Sequence, residues 1–564
     1  MTKSSLRKVK LLALFAIIVL AAFFRLYRID TVPPGDRYDP AYYGVDALRI
    51  LEGERPIFLP TNFGREALFS YVVALVVALL GITPYSMYVA SAIVGILTVP
   101  AVYLVVEELL AEEEGALHRY GGLLAALAVA ISYWHLNWSR FGVRAILLPL
   151  FVALTIYFFW RALRISSAYL FLCAGFFLGL GMYTNQAARA LPLLIVLGFI
   201  YIMVWRRCCG RRDLLHLALL VLAALVVFAP LGYYFLTHPG SFTQRIGQTS
   251  VLDPSQSLTS NLQALGEGLQ DTLWAFSFYG DEEPTTNLPG RPMLNGFLSL
   301  LLLVGVLVSL LRIQRPVYLF VLTWLAVMSA PAVLSQYGPI AKRAIGTLPV
   351  FIVLIVIGAL APWDTLRRWV LRRRLRWGRV LATFVLVVII AGFLYGTVLT
   401  YYDYFVVWAG DPDLFTHFEV GPTAIGQYVG TLPLEERVYI SPIPPDHPSI
   451  VYNSHMRPGV KGYDGRVCVV VPAQPEQSIT YVIVSDQDPN SLELLGSYFP
   501  GAEIVAEGPL HYQQPYFLAL RIPQSSRALI APTHPLEVNW ANKIRLLGYD
   551  LDADVHRPGD TVLL

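Results

Sequence analysis

The chain alternates long apolar runs with short polar connections. Runs near 11–27, 68–82, 86–107, 121–136, 144–161, 168–184, 190–205, 214–236, 296–312, 317–334, 345–361 and 379–401 are each roughly 15 to 22 residues long. As helices, such runs can cross the ~30 Å hydrocarbon core of a bilayer. After 401 the pattern changes to short β-type runs at 437–441, 466–471, 480–485, 503–506 and 516–521, with a helical stretch at 491–498. That alternation predicts a small α/β domain. From 536 a further β-type segment begins, with a strand at 543–550, a turn at Arg557-Pro-Gly-Asp560 and a second strand to 564. A hairpin alone is marginal, so either it docks on its neighbour or the chain is a truncated piece of a longer protein. The expected division is 1–401, 402–535 and 536–564.

Composition agrees with the runs. Of 564 residues, 56% are hydrophobic and 14% charged, against about 25% charged in a soluble protein. The net charge of +3 is less informative than its distribution, and no nucleic-acid partner is expected. Basic residues crowd the N-terminus, the 206–212 loop with its four arginines, and the 367–379 loop with seven. Positive charge in short loops marks the cytoplasmic side. Between two inside points the chain crosses an even number of times, yet seven apolar runs separate the N-terminus from 206–212. The run at 68–82 is short and has no basic flank behind it, so it is read as a juxtamembrane helix on the outer face. The expectation is a polytopic α-helical membrane protein with about eleven spanning helices and a small C-terminal extracytoplasmic α/β domain. The N-terminus is cytoplasmic, the cell membrane is the location, and the first run is an anchor that stays. The loop at 108–120 fits awkwardly, being inside yet acid-rich. Cys208-Cys209 reads as a reduced pair in a basic loop, with redox or metal binding as the alternative.

This topology collects the polar outer loops on one face. The first, 28–85, holds Asp36, Asp39 and Asp46 among aromatics. Asp39 before Pro40, with an amphipathic run to Leu51 and then Gly53, reads as a helix N-cap. A carboxylate so held is also a candidate base. Arg65, Arg140, Arg144, Arg189, Arg291, Lys342 and Arg343 lie outside, suited either to a phosphate or to lipid headgroups. Glu66 is a second carboxylate or an ion-pair partner of Arg65. The acids of 280–291 could bind a divalent cation with a phosphate, or form a solvated turn. His135 between Trp134 and Trp138 reads as an aromatic belt or as a sugar-stacking surface.

Several stretches together resemble bacterial members of the C-superfamily glycosyltransferases. They are Phe24-Arg-Leu-Tyr-Arg-Ile-Asp, Tyr43-Gly-Val-Asp-Ala-Leu-Arg-Ile-Leu, Asn62-Phe-Gly-Arg-Glu, Trp134-His with Trp138-Ser-Arg, Tyr183-Thr followed by Ala-Ala-Arg-Ala-Leu-Pro, and Asn287-Leu-Pro-Gly-Arg-Pro-Met-Leu. The closest branch is that of the protein O-mannosyltransferases and the lipid A aminoarabinose transferase. The resemblance covers about 10–360 and implies a polyprenyl-phosphate-sugar donor, inversion at the anomeric carbon and juxtamembrane helices in the first outer loop. It puts the catalytic base on Asp39. Many relatives have Asp-Glu where this chain has Asp39-Pro40, and proline where it has Ala67. The expected reaction moves a sugar to a hydroxyl of an exported protein, lipid or glycan. Arg65, Arg140, Arg144, Arg189, Lys342 and Arg343 are candidate donor contacts, and Tyr42, Tyr43, Glu66, Trp134, His135 and Trp138 candidate lining. A divalent cation is a candidate cofactor. The rival readings are a lipid-linked-sugar transporter and an inactive glycan-binding scaffold.

Overall fold

The structure is a computed structural model. It describes residues 3–550 apart from 63, 208–209, 243–249, 254, 337–338, 374–375, 472–476 and 525. Cys208-Cys209 and the turn at 557–560 therefore lie outside the described residues. The chain divides into two compact units, Met1–Thr423 and Ala424–Leu564. The first unit runs past Tyr401, because Arg376–Tyr402 continues through a wide turn at Asp403–Val407 and short helices at 408–410 and 414–417.

The first unit is a helical bundle, and the chain is a multi-pass membrane protein. Among the described residues, eight helices are long and apolar enough to cross a bilayer. Ala116–Ala130, Ala168–Gly181 and Gly296–Leu311 are shorter apolar helices lying at runs that the sequence reads as spans. Leu68–Leu80 is the run excluded by parity. Its 13 residues extend roughly 20 Å, about as far as the 14 of Ala168–Gly181. It packs on the first-loop helix Tyr38–Leu51, with the Tyr43 and Phe69 rings 5.1 Å apart. At the bundle centre, Gly296–Leu311 and Leu348–Arg373 meet backbone to backbone. A Cβ on Gly305 would sit 1.9 Å from the Leu354 carbonyl oxygen, and one on Gly358 1.9 Å from that of Leu301. Close approach through small residues is how helices pack where no water drives them together.

The acid-rich loop finds its explanation in ion pairs. Glu107 bonds Lys10 at 3.0 Å, Glu108 bonds Arg164 at 2.6 Å and Arg161 at 3.5 Å, and Glu113 bonds Arg315 at 3.0 Å. Asp364 accepts the backbone N–H groups of Ala116 and Leu117. Arg206 and Arg212 donate to the carbonyls of Leu163 and Ser166. These bonds tie the basic loops and the acidic loop into one end of the bundle. Arg144 begins a span that ends beyond Arg164, 22 residues from Arg144 to Ile165, so its own end is roughly 33 Å away.

In the second unit, Val460–Gly462, Arg437–Ser441, Ile479–Val484, Phe517–Ile522 and Glu503–Glu507 form one five-stranded sheet in that spatial order. The first three are parallel and the last two antiparallel to their neighbours. Four of the sequence's five strands are present. The fifth, 466–471, stays out of the ladder: Val469 and Val471 pack on the core side by side with Tyr481, whose hydroxyl bonds the Val470 carbonyl. Val460–Gly462 takes the sheet edge instead. A separate hairpin pairs His534–Trp540 with Ile544–Tyr549 around a turn at 541–543.

His447 precedes the helix Pro448–Asn453. Burial pushes its imidazole down from 6.5 to about 4, against a smaller opposite pull from Asp446. A histidine depressed in the folded state contributes stability above its unfolded pKa and loses it as pH falls through the folded value. Between pH 6.5 and 4 the second unit is therefore expected to lose up to roughly 3 kcal/mol. Amide exchange over 437–453 in the full chain should accelerate across that window, and His447→Gln should flatten the dependence.

Candidate active site

At the end of the bundle away from the ion-paired loops lies a cavity of about 900 Å³, within the range of ligand sites. Asp39, Tyr43, Arg65, Arg144, Arg189, Lys342 and Arg343 all line it, joined by Asn62, Asn185, Gln186, Ser250 and Ser335. Its apolar wall comes from Leu193 and from Ala326, Val327, Ala330, Pro331 and Leu334.

Asp39 stands in the first turn of Tyr38–Leu51, but Arg37 occupies the cap position, with φ +53°. The N-cap expectation for Asp39 is corrected accordingly. Asn62 Nδ2 donates to its Oδ1 at 2.9 Å. Asn62 reaches it from a short hairpin pairing Phe58 with Glu66 and Leu59 with Arg65. The three first-loop acids take three separate jobs. Asp36 accepts from Thr423 at 2.7 Å in the interior, Asp46 pairs with Arg65, and Asp39 faces the cavity.

Arg65 is 2% exposed and held on several sides. Its Nη2 lies 2.9 Å from Asp46 Oδ2 and 3.0 Å from Thr61 Oγ1, and its guanidinium sits over the Tyr43 and Tyr42 rings at 4.8 and 5.2 Å. Its Nη1 is buried without a hydrogen-bond partner. A buried, preoriented guanidinium with an unused donor is suited to an anion. Glu66 pairs with Arg144 at 3.2 Å and not with Arg65. Arg189 opens the next span, its guanidinium 3.9 Å from the Phe242 ring centre.

Lys342 and Arg343 sit on a single helical turn, Ile340–Arg343. Asp281 accepts from the N–H groups of Ile340 and Ala341 at 2.8 and 2.9 Å. Trp134 Nε1 donates to the Ala341 carbonyl at 3.0 Å. Burial pushes the Asp281 carboxyl up, with those two N–H groups and Arg343 pulling it back. The loop read as a solvated turn or a cation site thus clamps a cationic turn. Among the described residues no group of three or more His, Cys, Asp or Glu is placed to hold a metal ion. Asp281→Ala should strand two part-buried N–H groups, costing about 1–3 kcal/mol and lowering the melting temperature. Asp281→Asn, keeping one acceptor, should recover part of that loss in a thermal-unfolding measurement.

Other predicted residues lie elsewhere. Arg140 is buried and donates to the carbonyls of Phe24, Arg25, Arg28 and Val32, closing the end of the first helix. His135 Nδ1 is 2.7 Å from Arg25 Nη2 and, since arginine only donates, accepts from it. Trp138 packs on Phe141. Tyr42 supports Arg65 from outside the lining, and Glu66 and Trp134 support Arg144 and the cationic turn in the same way. Sequence reasoning missed Asn62, Asn185 and Gln186, although all three fall inside motifs it had quoted.

The chain is similar to known proteins over part of its sequence and over most of its fold. Residues 67–234 match the family described as dolichyl-phosphate-mannose-protein mannosyltransferase. ArnT from Cupriavidus metallidurans bound to undecaprenyl phosphate superposes with a TM-score of 0.54 at 14% identity, over 92% of this chain and 98% of that one. Its apo state gives 0.51 at 15%, over 91% and 98%. The fold is that of the ArnT structures. In that fold the segment 28–85 of this chain forms one wall of the cavity through Asp39, Asn62 and Arg65. No curated protein sequence matches the chain.

Proposed function

We propose that the protein is a membrane glycosyltransferase that moves a sugar from a polyprenyl phosphate to a hydroxyl of an exported acceptor on the outer face of the cell membrane. One observation carries this reading. A helix-held carboxylate, Asp39, shares one cavity with five cations, Arg65, Arg144, Arg189, Lys342 and Arg343, beside an apolar wall that suits a prenyl chain. The ArnT structure of like fold binds undecaprenyl phosphate, which supports the donor class. The ion-paired basic end of the bundle, read as cytoplasmic by its charge, supports a cavity facing outward and a cytoplasmic N-terminus.

The chemistry follows from the groups present. The acceptor oxygen attacks C1 of the sugar as Asp39 takes its proton, and the C1–O bond to phosphate breaks. The electron pair leaves on the polyprenyl phosphate, whose developing charge meets the cationic lining that includes Lys342 and Arg343. A single displacement inverts the anomeric centre and needs one carboxylate, not the pair used for retention. The test is to incubate the purified protein with a polyprenyl phosphate bearing a radiolabelled sugar and an extract of exported glycoconjugates. Label is expected to leave the lipid and appear on acceptor, with free polyprenyl phosphate formed in equal amount. Label that stays on the lipid would overturn the reading.

A further inference from the structure

We propose that a groove at the ion-paired end of the bundle holds an anionic phospholipid, with its acyl chains along the groove and its phosphate on Arg312. Two helices build the site. Gly296–Leu311 and Leu348–Arg373 touch backbone to backbone at Gly305 and Gly358. Past that contact, toward the ion-paired loops, they line a groove of about 550 Å³, within the range of ligand sites. Val308 and Leu311 on one helix and Pro362, Leu366 and Trp369 on the other give it apolar walls. Leu311 is 86% and Trp369 50% exposed, so the groove lies on the outside of the bundle. The chain spans a bilayer, and an apolar groove on the outside of its helices is filled by lipid. The charge at its rim decides which lipid.

Arg312 is part of the lining. Its Nη1 donates to the Tyr318 hydroxyl at 2.8 Å and lies 3.9 Å from Glu113, which bonds Arg315 at 3.0 Å. Both contacts fall on Nη1, and a guanidinium fork has further donors for a phosphate oxygen. Arg372 and Arg373 follow in the last turn of Leu348–Arg373, both exposed. They stand three and four residues beyond Trp369, on the side of the helix that carries it. Between 361 and 373 the one acid is Asp364, and it is turned away to the backbone N–H groups of Ala116 and Leu117. Trp369 suits the level of the headgroups, where indoles collect. A phosphodiester with an uncharged headgroup alcohol fits these arginines. A choline headgroup would bring another cation among them and offset the attraction.

The groove lies at the opposite end of the bundle from the Asp39 cavity, and the proposal stands whether or not sugar is transferred there. The purified full chain in a neutral detergent is titrated with phosphatidylglycerol or with phosphatidylcholine bearing the same two acyl chains, and bound lipid is counted by native mass spectrometry. One phosphatidylglycerol per chain is expected to bind at least about tenfold more tightly than phosphatidylcholine, since each arginine near a membrane surface contributes about fivefold. Arg372→Gln combined with Arg373→Gln, both at exposed positions, should cut that preference to about fivefold or less. Val308→Trp, which fills the groove, should remove the adduct of either lipid while the thermal transition without lipid is kept. Where that transition falls, the arginine variant alone decides. Equal binding of the two headgroups, or a preference unchanged in the arginine variant, would overturn the proposal. A dimer of the chain in place of the lipid adduct would overturn it too, by putting a second copy in the groove.

Discussion

Asp39→Asn is expected to lower turnover by about a thousandfold while the donor still binds. A positioned general base contributes about 10²–10⁴ in rate, and asparagine keeps the shape and the contact with Asn62, which lies 2.9 Å from Oδ1. The substitution also removes a negative charge from the cavity proposed to hold the donor phosphate. Donor affinity should therefore be equal or higher, since like charges repel. Single-turnover consumption of lipid-linked sugar gives the first quantity, and donor-dependent thermal shift gives the second. Unchanged turnover would remove Asp39 from the mechanism and favour a transporter or scaffold.

Arg65→Met should affect both folding and donor binding. Asp46, 2% exposed, would lose the guanidinium 2.9 Å away, and breaking a buried pair by removing one partner costs about 3–5 kcal/mol. Burial already pushes the Asp46 carboxyl up, with Arg65 and then Arg49 pulling it down. Without Arg65 the carboxyl rises further. A carboxyl raised in the folded state is least harmful below its unfolded pKa and costs stability as pH rises through the folded value. The variant should therefore melt at a lower temperature at pH 8 than at pH 5, relative to the parent protein. Adding Asp46→Asn should restore most of the melting temperature, because no buried charge remains. Donor binding should stay weak in the double variant, because the lining has lost a positive charge. Full recovery of binding would show that Arg65 acts only as a structural partner of Asp46.

Much of the candidate site was legible beforehand because its residues carry strong chemical signals in polar loops between apolar runs. Asp39, Tyr43, Arg65, Arg144, Arg189, Lys342 and Arg343 were all named from sequence, and all line one cavity. What could not be read was the pairing. Arg65 and Glu66 are neighbours in sequence and sit on a strand, where successive side chains point to opposite faces. They therefore bond Asp46 and Arg144 and not each other. Arg140 carries the same charge as Arg144, four residues away, yet its partners are four backbone carbonyls at the end of the first helix. Asp281 gave no sequence signal beyond an acidic loop, since its partners Ile340 and Ala341 lie 59 and 60 residues further on.

The sequence by itself determined the membrane architecture and the gathering of charge at one end. Those properties depend on the run of apolar residues along the chain, and a bilayer reads composition locally. Only the tertiary structure decided which of three aspartates faces the cavity and which arginines are structural. It also decided that the acid-rich loop belongs with the basic ones. Each of those outcomes depends on which distant group a charged side chain meets once water has been excluded, and spacing along the chain carries no record of that meeting.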